Sequence, residues 1–226
     1  MSEAQPRPLV IFGVGELAQL AHYYFTHDTG RRIAGFAADS ARIAESEYQG
    51  LPLVPAQALE THFPPSDFDL FVAIGYSGLN SHRAERCAEA VARGYHLATY
   101  VSSRASVWPD LRIGHNCLLM EGSVIQPFVT IGNGVIVCCN SLISHHSRID
   151  DHCFISSEAT IAGRVRVGAR SFIGVNATIR DNLSVGDDCI VGAGALLLQD
   201  TADGSACFQA GTPASGIPSR RARSLL

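Results

Sequence analysis

Residues 125–149 read IQPFVTIGNGVIVCCNSLISHHSRI, with an aliphatic anchor at Ile125, Ile131, Val137, Ile143 and Ile149. The spacing of six extends both ways, back through Leu119, Ile113 and Val107 to Val101. It continues forward through Ile155, Ile161, Val167, Ile173, Ile179, Val185 and Val191 to Leu197. Four residues after each anchor stands a small or modest side chain, among them Cys117, Ser141, Ser147, Cys153, Ala159, Ser171, Ala177 and Cys189. An α-helix repeats every 3.6 residues and a flat strand every 2, so neither keeps a period of six on one side for this long. A hexapeptide that is strand for about four residues and turns over the other two does so, provided that three units close a triangular coil of about 18 residues. The repeat therefore predicts a parallel β-helix whose coils stack at the strand spacing of roughly 4.8 Å. Anchors and small residues point inward, and Cys117, Cys153 and Cys189 fall in the inward slot as small hydrophobes.

Nothing before residue 100 obeys this rule. LVIFGVGELAQLAHYYF reads as strand, glycine turn and amphipathic helix, RIAGFAAD as a second strand, and LPLVPAQALETHF as a short strand and helix. DLFVAIG is a further strand and LNSHRAERCAEAVARGY a helix, which together predict a small parallel α/β sheet wound as in nucleotide-binding folds. We expect two domains: residues 1–100, Rossmann-like and nucleotide-sugar-binding, and residues 101–226, a β-helix with a C-terminal tail.

Of the 226 residues, 46% are hydrophobic and 17% charged, which excludes a disordered chain. A formal charge of -4 offers no basic surface for nucleic acid. The first apolar stretch is about five residues, far below the roughly 20 that span a bilayer, and it carries no signal-peptide pattern. A cytoplasmic protein without membrane insertion is expected. Seven cysteines without a C-x-x-C pair read as reduced thiols and not as a zinc site.

Two places carry chemistry. Gly13-Val14-Gly15-Glu16-Leu17-Ala18 is a G-x-G-x-x-A turn between strand and helix, where bare backbone lets a ligand approach N–H groups. Asp39, near the end of the second strand, suits a ribose hydroxyl or a base edge, and Gly75 ends another strand beside the same crevice. The domain has few strands, which favours a nucleoside diphosphate carrying a sugar over a full dinucleotide. In the repeat, His145 and His146 follow the anchor Ile143 by two and three positions, at a coil corner. Eighteen residues on, Gly163 occupies the corner position of His145 in the next coil. A histidine beside a bare amide suits acyl transfer, with imidazole as base and the N–H facing the developing oxyanion.

With VIFGVGELA, AIGYSGLNSHR, LISHHSRIDDHCFISS, ATIAGRVRVGARSFIGVNATIRD, VGAGALLL and the Gly211-Thr212-Pro213-Ala214 ending, the chain resembles a known family. These are the bacterial sugar acetyltransferases that join a small nucleotide-binding domain to a left-handed β-helix. Members include sialic-acid O-acetyltransferases and the N-acetyltransferases of nucleotide-linked 4-amino-4,6-dideoxy sugars such as perosamine and bacillosamine precursors. The resemblance implies left-handed coils, a homotrimer with active sites between subunits, acetyl-CoA as co-substrate and no metal. It also implies a nucleotide-linked amino sugar as acceptor, in surface polysaccharide or glycan biosynthesis. His145 matches the family's general base and Gly163 the glycine whose amide binds the acetyl carbonyl. Val175, Asn176, Ala193 and Gly194 fall where the family lines the pantetheine groove. Gly13, Gly15, Asp39, Gly75 and Arg83 fall where it holds the sugar's nucleotide.

This chain departs from the family at His146, where several members carry a carboxylate, at Phe154, where they carry a cofactor-contacting histidine, and at Glu158. Arg220, Arg221 and Arg223 are expected to attract the 3′-phosphate of CoA. Alternatives from the same sequence are sugar or sialic-acid O-acetylation, a zinc hydrolyase using His115, His145, His146 and His152, and a non-catalytic trimer that only binds a nucleotide sugar.

Overall fold

In β1 (Leu9–Phe12) all four residues are buried, because both faces of a parallel strand are covered. Leu9 and Ile11 join one apolar cluster with Ala18, Ala21 and Phe25 of α1 (Glu16–His27). Val10 and Phe12 join another with Cys87 and Ala90 of α3 (Ser81–Ala92). Alternation along one strand thus puts a helix on each side of the sheet. The structure is a computed structural model and describes residues 6–211. The three tail arginines and Thr212, Pro213 and Ala214 lie outside the described residues.

The sheet adds β2 (Ile33–Ala38), β3 (Glu47–Tyr48), β4 (Leu51–Pro55) and β5 (Asp69–Val72), in the order β3-β4-β2-β1-β5. All neighbours run parallel except β3, which pairs antiparallel with β4. The sequence reading lacks β3. Gln49 and Gly50 both have positive φ, 52° and 72°, the backbone of a two-residue hairpin turn, but Gln is not the Asn or Asp that signals such a turn. A short helix α2 (Leu59–His62) follows β4.

From Tyr100 the chain winds into a left-handed parallel β-helix of two-residue strands on three faces, each strand paired with the one eighteen residues on, as Ile143 with Ile161, until the last coil, where Ile190 pairs with Ala206. We number the faces by their outward residues. The first carries Leu118, Ile136, Phe154, Phe172 and Ile190; the second Val124, Leu142, Thr160, Thr178 and Leu196; the third Arg112, Thr130, Arg148, Arg166 and Ser184. Anchors and slot residues fill one continuous core, with Cys117, Ile143, Cys153, Ile155 and Ala159 at 0% exposure. Burial pushes the Cys117 and Cys153 thiols up to about 12, so they are inert packing groups. The first face is covered by the N-terminal domain: Leu118, Ile136 and Phe154 share a cluster with Phe25, Phe71 and Tyr100.

From the anchor Ile113 to the anchor Val191, each turn places the third residue after its anchor in left-handed backbone. Asn116, Asn140, Asn176 and Asn182 suit that conformation, whereas His146 and His152 hold it at φ 60°. His152 sits at the edge between the third and first faces, and burial, then the Arg83 charge, lowers its pKa to about 4. The unfolded chain therefore binds a proton that the folded chain refuses between its ordinary value, roughly 6.5, and about 4. Stability contributed by neutral His152 is lost as pH falls through that window. We expect His152→Asn, whose side chain suits the turn, to lose less of its thermal midpoint than the wild type between pH 7 and about 4.5. Parallel pH slopes for the two proteins would contradict this.

Candidate active site

The strands β1, β2 and β5 end together, and the strand order reverses about β1, which opens a crevice at their carboxyl ends. Gly13 turns the chain there at φ 136°, and a Cβ at this position would stand 2.8 Å from the Ala73 carbonyl oxygen, so only glycine fits. The resulting cleft holds about 570 Å³, with Gly13, Gly15, Asp39, Ile74, His82 and Arg86 in its wall. Gly13, Gly15 and Asp39 thus meet as the sequence suggests. Gly75 lies between the wall residues Ile74 and Ser77 without lining the cleft, and its carbonyl accepts from Arg83 at 2.5 Å.

Arg83 itself is a correction. It is fully buried and donates to the carbonyls of Gly134, Ile74, Gly75, His152 and Cys153, which occupies its guanidinium with protein backbone and leaves nothing for a nucleotide. Two cations line the cleft, Arg42 and Arg86, and Arg86 is paired with Asp39 at 2.8 Å and lies 5.7 Å over the Phe12 ring. Sequence reasoning missed Arg86, together with His82, whose Nδ1 lies 3.0 Å from Ser77 Oγ. Their spacing of four on one helix, opening at the end of β5, was the available signal.

His145 stands on the edge between the second and third faces. The Ile143–Ile161 register places Gly163 directly beneath it, and the Arg164 N–H donates to the His145 carbonyl at 3.0 Å. A Cβ on Gly163 would come within 2.7 Å of His145 Cε1 and 2.9 Å of Nε2, so the imidazole lies across the glycine backbone. The Gly163 N–H donates to no backbone acceptor among the described residues. His145 and His146 are both exposed.

Their Nδ1 atoms lie 3.1 Å apart, a hydrogen bond in which one ring donates. If His145 donates, its Nε2 keeps the lone pair of a base. Phe128 backs His146 with ring centroids 4.6 Å apart.

Val175 and Asn176 stack under Ala193 and Gly194, with the Gly194 N–H donating to the Val175 carbonyl at 2.8 Å, and Val175 is 51% exposed. They line the edge between the first and second faces, where Glu158 also sits, so within one chain the second face separates them from His145. Phe154 points at the N-terminal domain, stacked 5.6 Å from Phe172 with Tyr76 edge-on at 5.2 Å. His115 and His152 lie on a different edge from His145 and His146. Among the described residues, no cluster of three or more His, Cys, Asp or Glu side chains could hold a metal ion.

The model for bacterial transferase hexapeptides (six repeats) matches residues 110–145, and that for the hexapeptide repeat of succinyl-transferase matches residues 164–199. No curated protein matches the chain. Among solved structures, the acetyltransferase domain of PglB from Neisseria gonorrhoeae is 28% identical over 89% of this chain and 96% of its own, with a TM-score of 0.78. A His-to-Asn variant of perosamine N-acetyltransferase from Caulobacter crescentus, in complex with CoA and GDP-perosamine, is 27% identical over 91% and 95%, with a TM-score of 0.80. WeeI from Acinetobacter baumannii, at 17% identity over 88% and 95% and a TM-score of 0.78, shares the fold. With coils of six-residue units throughout its second half and these matches over nine-tenths of its length, the chain is an acyltransferase of the left-handed β-helix class that is similar to bacterial sugar acetyltransferases.

Proposed function

We propose that the protein transfers the acetyl group of acetyl-CoA to the amine of a nucleotide-linked amino sugar of the 4-amino-4,6-dideoxyhexose class, for surface polysaccharide or glycan assembly. The observation that carries this reading is the His145 imidazole lying across the Gly163 backbone. The cleft at Gly13, Gly15 and Asp39 takes the nucleotide. Likeness to a perosamine N-acetyltransferase holding CoA and GDP-perosamine, and to a PglB acetyltransferase domain holding acetyl coenzyme A, supports the choice of both substrates. We place the reaction in the cytoplasm; among the described residues no helix is long and apolar enough to cross a membrane.

The amine nitrogen attacks the thioester carbonyl carbon while His145 Nε2 removes its proton. The carbonyl oxygen becomes an oxyanion that accepts a hydrogen bond from the Gly163 N–H. Collapse re-forms the carbonyl, breaks the carbon–sulfur bond and expels the CoA thiolate, which takes the proton back from the imidazolium. The hydrogen bond from His145 Nδ1 to His146 strengthens when His145 is charged, although a neutral acceptor helps less than a carboxylate would.

Two sets of binding residues on opposite edges of the second face make one site if three copies pack around that face. The N-terminal domain covers the first face and arginines mark the third, while Val124, Leu142, Thr160, Thr178 and Leu196 make the second uncharged, with Val124 and Leu196 exposed. Three such faces around an axis along the prism bring His145 of one copy to Val175, Asn176, Ala193 and Gly194 of the next. This is the homotrimer we propose, with acetyl-CoA in each groove between copies.

We expect His145→Ala to lower kcat in a thiol-release assay by about 100-fold or more; near-normal turnover would reject the base. In Gly163→Ala the added methyl displaces the imidazole, so kcat falls about 10- to 100-fold with little change in thermal midpoint. An unchanged kcat would contradict the pairing. Thr160→Arg puts a charge at the centre of the second face; sedimentation should give monomers without activity, and an active trimer would refute the assembly. Thiol release with sialic acid, and none with nucleotide-linked amines, would replace N- by O-acetylation.

A further inference from the structure

Three polar side chains between the N-terminal domain and the prism are fully buried: Asn80, Arg83 and Asn116. The acetyl-transfer step uses none of them. Asn116, in the first turn on the edge between the third and first faces, accepts from the Val72 N–H at 2.7 Å and donates to the Val72 carbonyl at 3.1 Å. It pairs with the outer edge of β5 as a further strand would. Arg83 reaches the Gly134 carbonyl at 2.8 Å and the His152 carbonyl at 2.6 Å, while its other N–H groups hold Ile74 and Gly75. Asn80 donates to the Arg170 carbonyl at 2.8 Å.

Positions 116, 134, 152 and 170 are eighteen apart, so they stack one above the other along a single edge. Residues 72–83 therefore run down four successive coils, and every coil is gripped by a polar side chain. Ile74, Ser77 and His82, within that segment, belong to the wall of the nucleotide cleft.

An apolar interface tolerates a slide, but this one does not. Moving the domain by one coil would strand an arginine that has no carboxylate partner among the described residues and two amides whose groups are desolvated. Burial lowers the Arg83 pKa to about 10, which leaves it charged at neutral pH, so the carbonyls alone satisfy that charge.

We propose that Asn80, Arg83 and Asn116 form a polar ruler that fixes the height of the nucleotide cleft along the prism, with Arg83 a positioning residue for the acceptor amine. The proposal rests on the acetyl-transfer reading above. The coil that passes Gly134 runs on to His145 and returns at His152, so Arg83 holds the backbone on both sides of the coil that carries the imidazole. Copies related by a threefold axis along the prism sit at one height, so the same ruler aligns each cleft with a neighbour's imidazole. A displacement of about 1 Å at a reacting centre costs on the order of 100-fold in rate.

The test compares wild type with Arg83→Lys, which keeps the charge but replaces a planar fork by a point ammonium with three donors. We expect kcat with the nucleotide-linked amino sugar to fall roughly 10- to 100-fold, while Kd for acetyl-CoA and for UDP, GDP or dTDP alone stays within about twofold. Amide exchange should rise at residues 73–80 and not in the prism. Unchanged kcat, unchanged exchange, or lost nucleotide affinity at normal kcat would overturn the ruler, the last by making Arg83 a ligand contact. Should Arg83→Lys fail to fold, Asn80→Ala, which removes the grip on the fourth coil, carries the same expectations. A wild-type protein that releases no thiol with any nucleotide sugar refutes the acetyl-transfer reading instead, and the exchange measurement still decides the ruler.

Discussion

Hydrogen bonding between residues eighteen apart is the constraint on which the rest of the structure depends. Once Ile143 pairs with Ile161, every corner residue is placed above a known partner, and the chemistry of an edge follows from stacking alone. The narrow interior enforces the register. A slip by one residue would turn Ile143, Ile155 and Ile161, all at 0% exposure, outward and bring polar side chains in. His145 above Gly163 is therefore a product of core packing several positions away, and the site needs no loop to assemble it.

The three edges and faces of one prism do different work. One edge carries the imidazole, a second carries the stacked Val175–Gly194 surface, and the third is bound to the N-terminal domain by buried amides and a guanidinium. Of the faces, one is buried by that domain, one is charged and solvated, and one is uncharged with no partner among the described residues. The homotrimer we propose splits its site across the two edges of the uncharged face, so that in this reading binding energy between copies and alignment of the reacting groups come from the same surface.

The β-helix was legible because its signal repeats in every hexapeptide, and the alternation of β1 and the Gly13 turn were legible because local backbone rules fix them. What escaped depends on how the two domains dock. Arg83 and Arg86 are one helical turn apart on α3, and nothing local says that the first faces prism carbonyls while the second faces the cleft. Phe154 was read against a cofactor position, but it is an outward residue of a strand whose face is covered by Phe172 and Tyr76. The contact between His145 and His146 was also hidden, because the left-handed turn that brings the two Nδ1 atoms within 3.1 Å belongs to the corner geometry and not to the S-H-H-S string.

The account stands on the placement of a thioester carbonyl between His145 and Gly163. The most direct measurement is a crystal structure with acetyl-CoA bound. We predict the cofactor in a groove between two copies, with its carbonyl oxygen about 2.7–3.1 Å from the Gly163 nitrogen and its pantetheine along Val175, Ala193 and Gly194 of the neighbouring copy. A thioester lodged at another edge of the prism, or bound within a single copy away from His145, would contradict it.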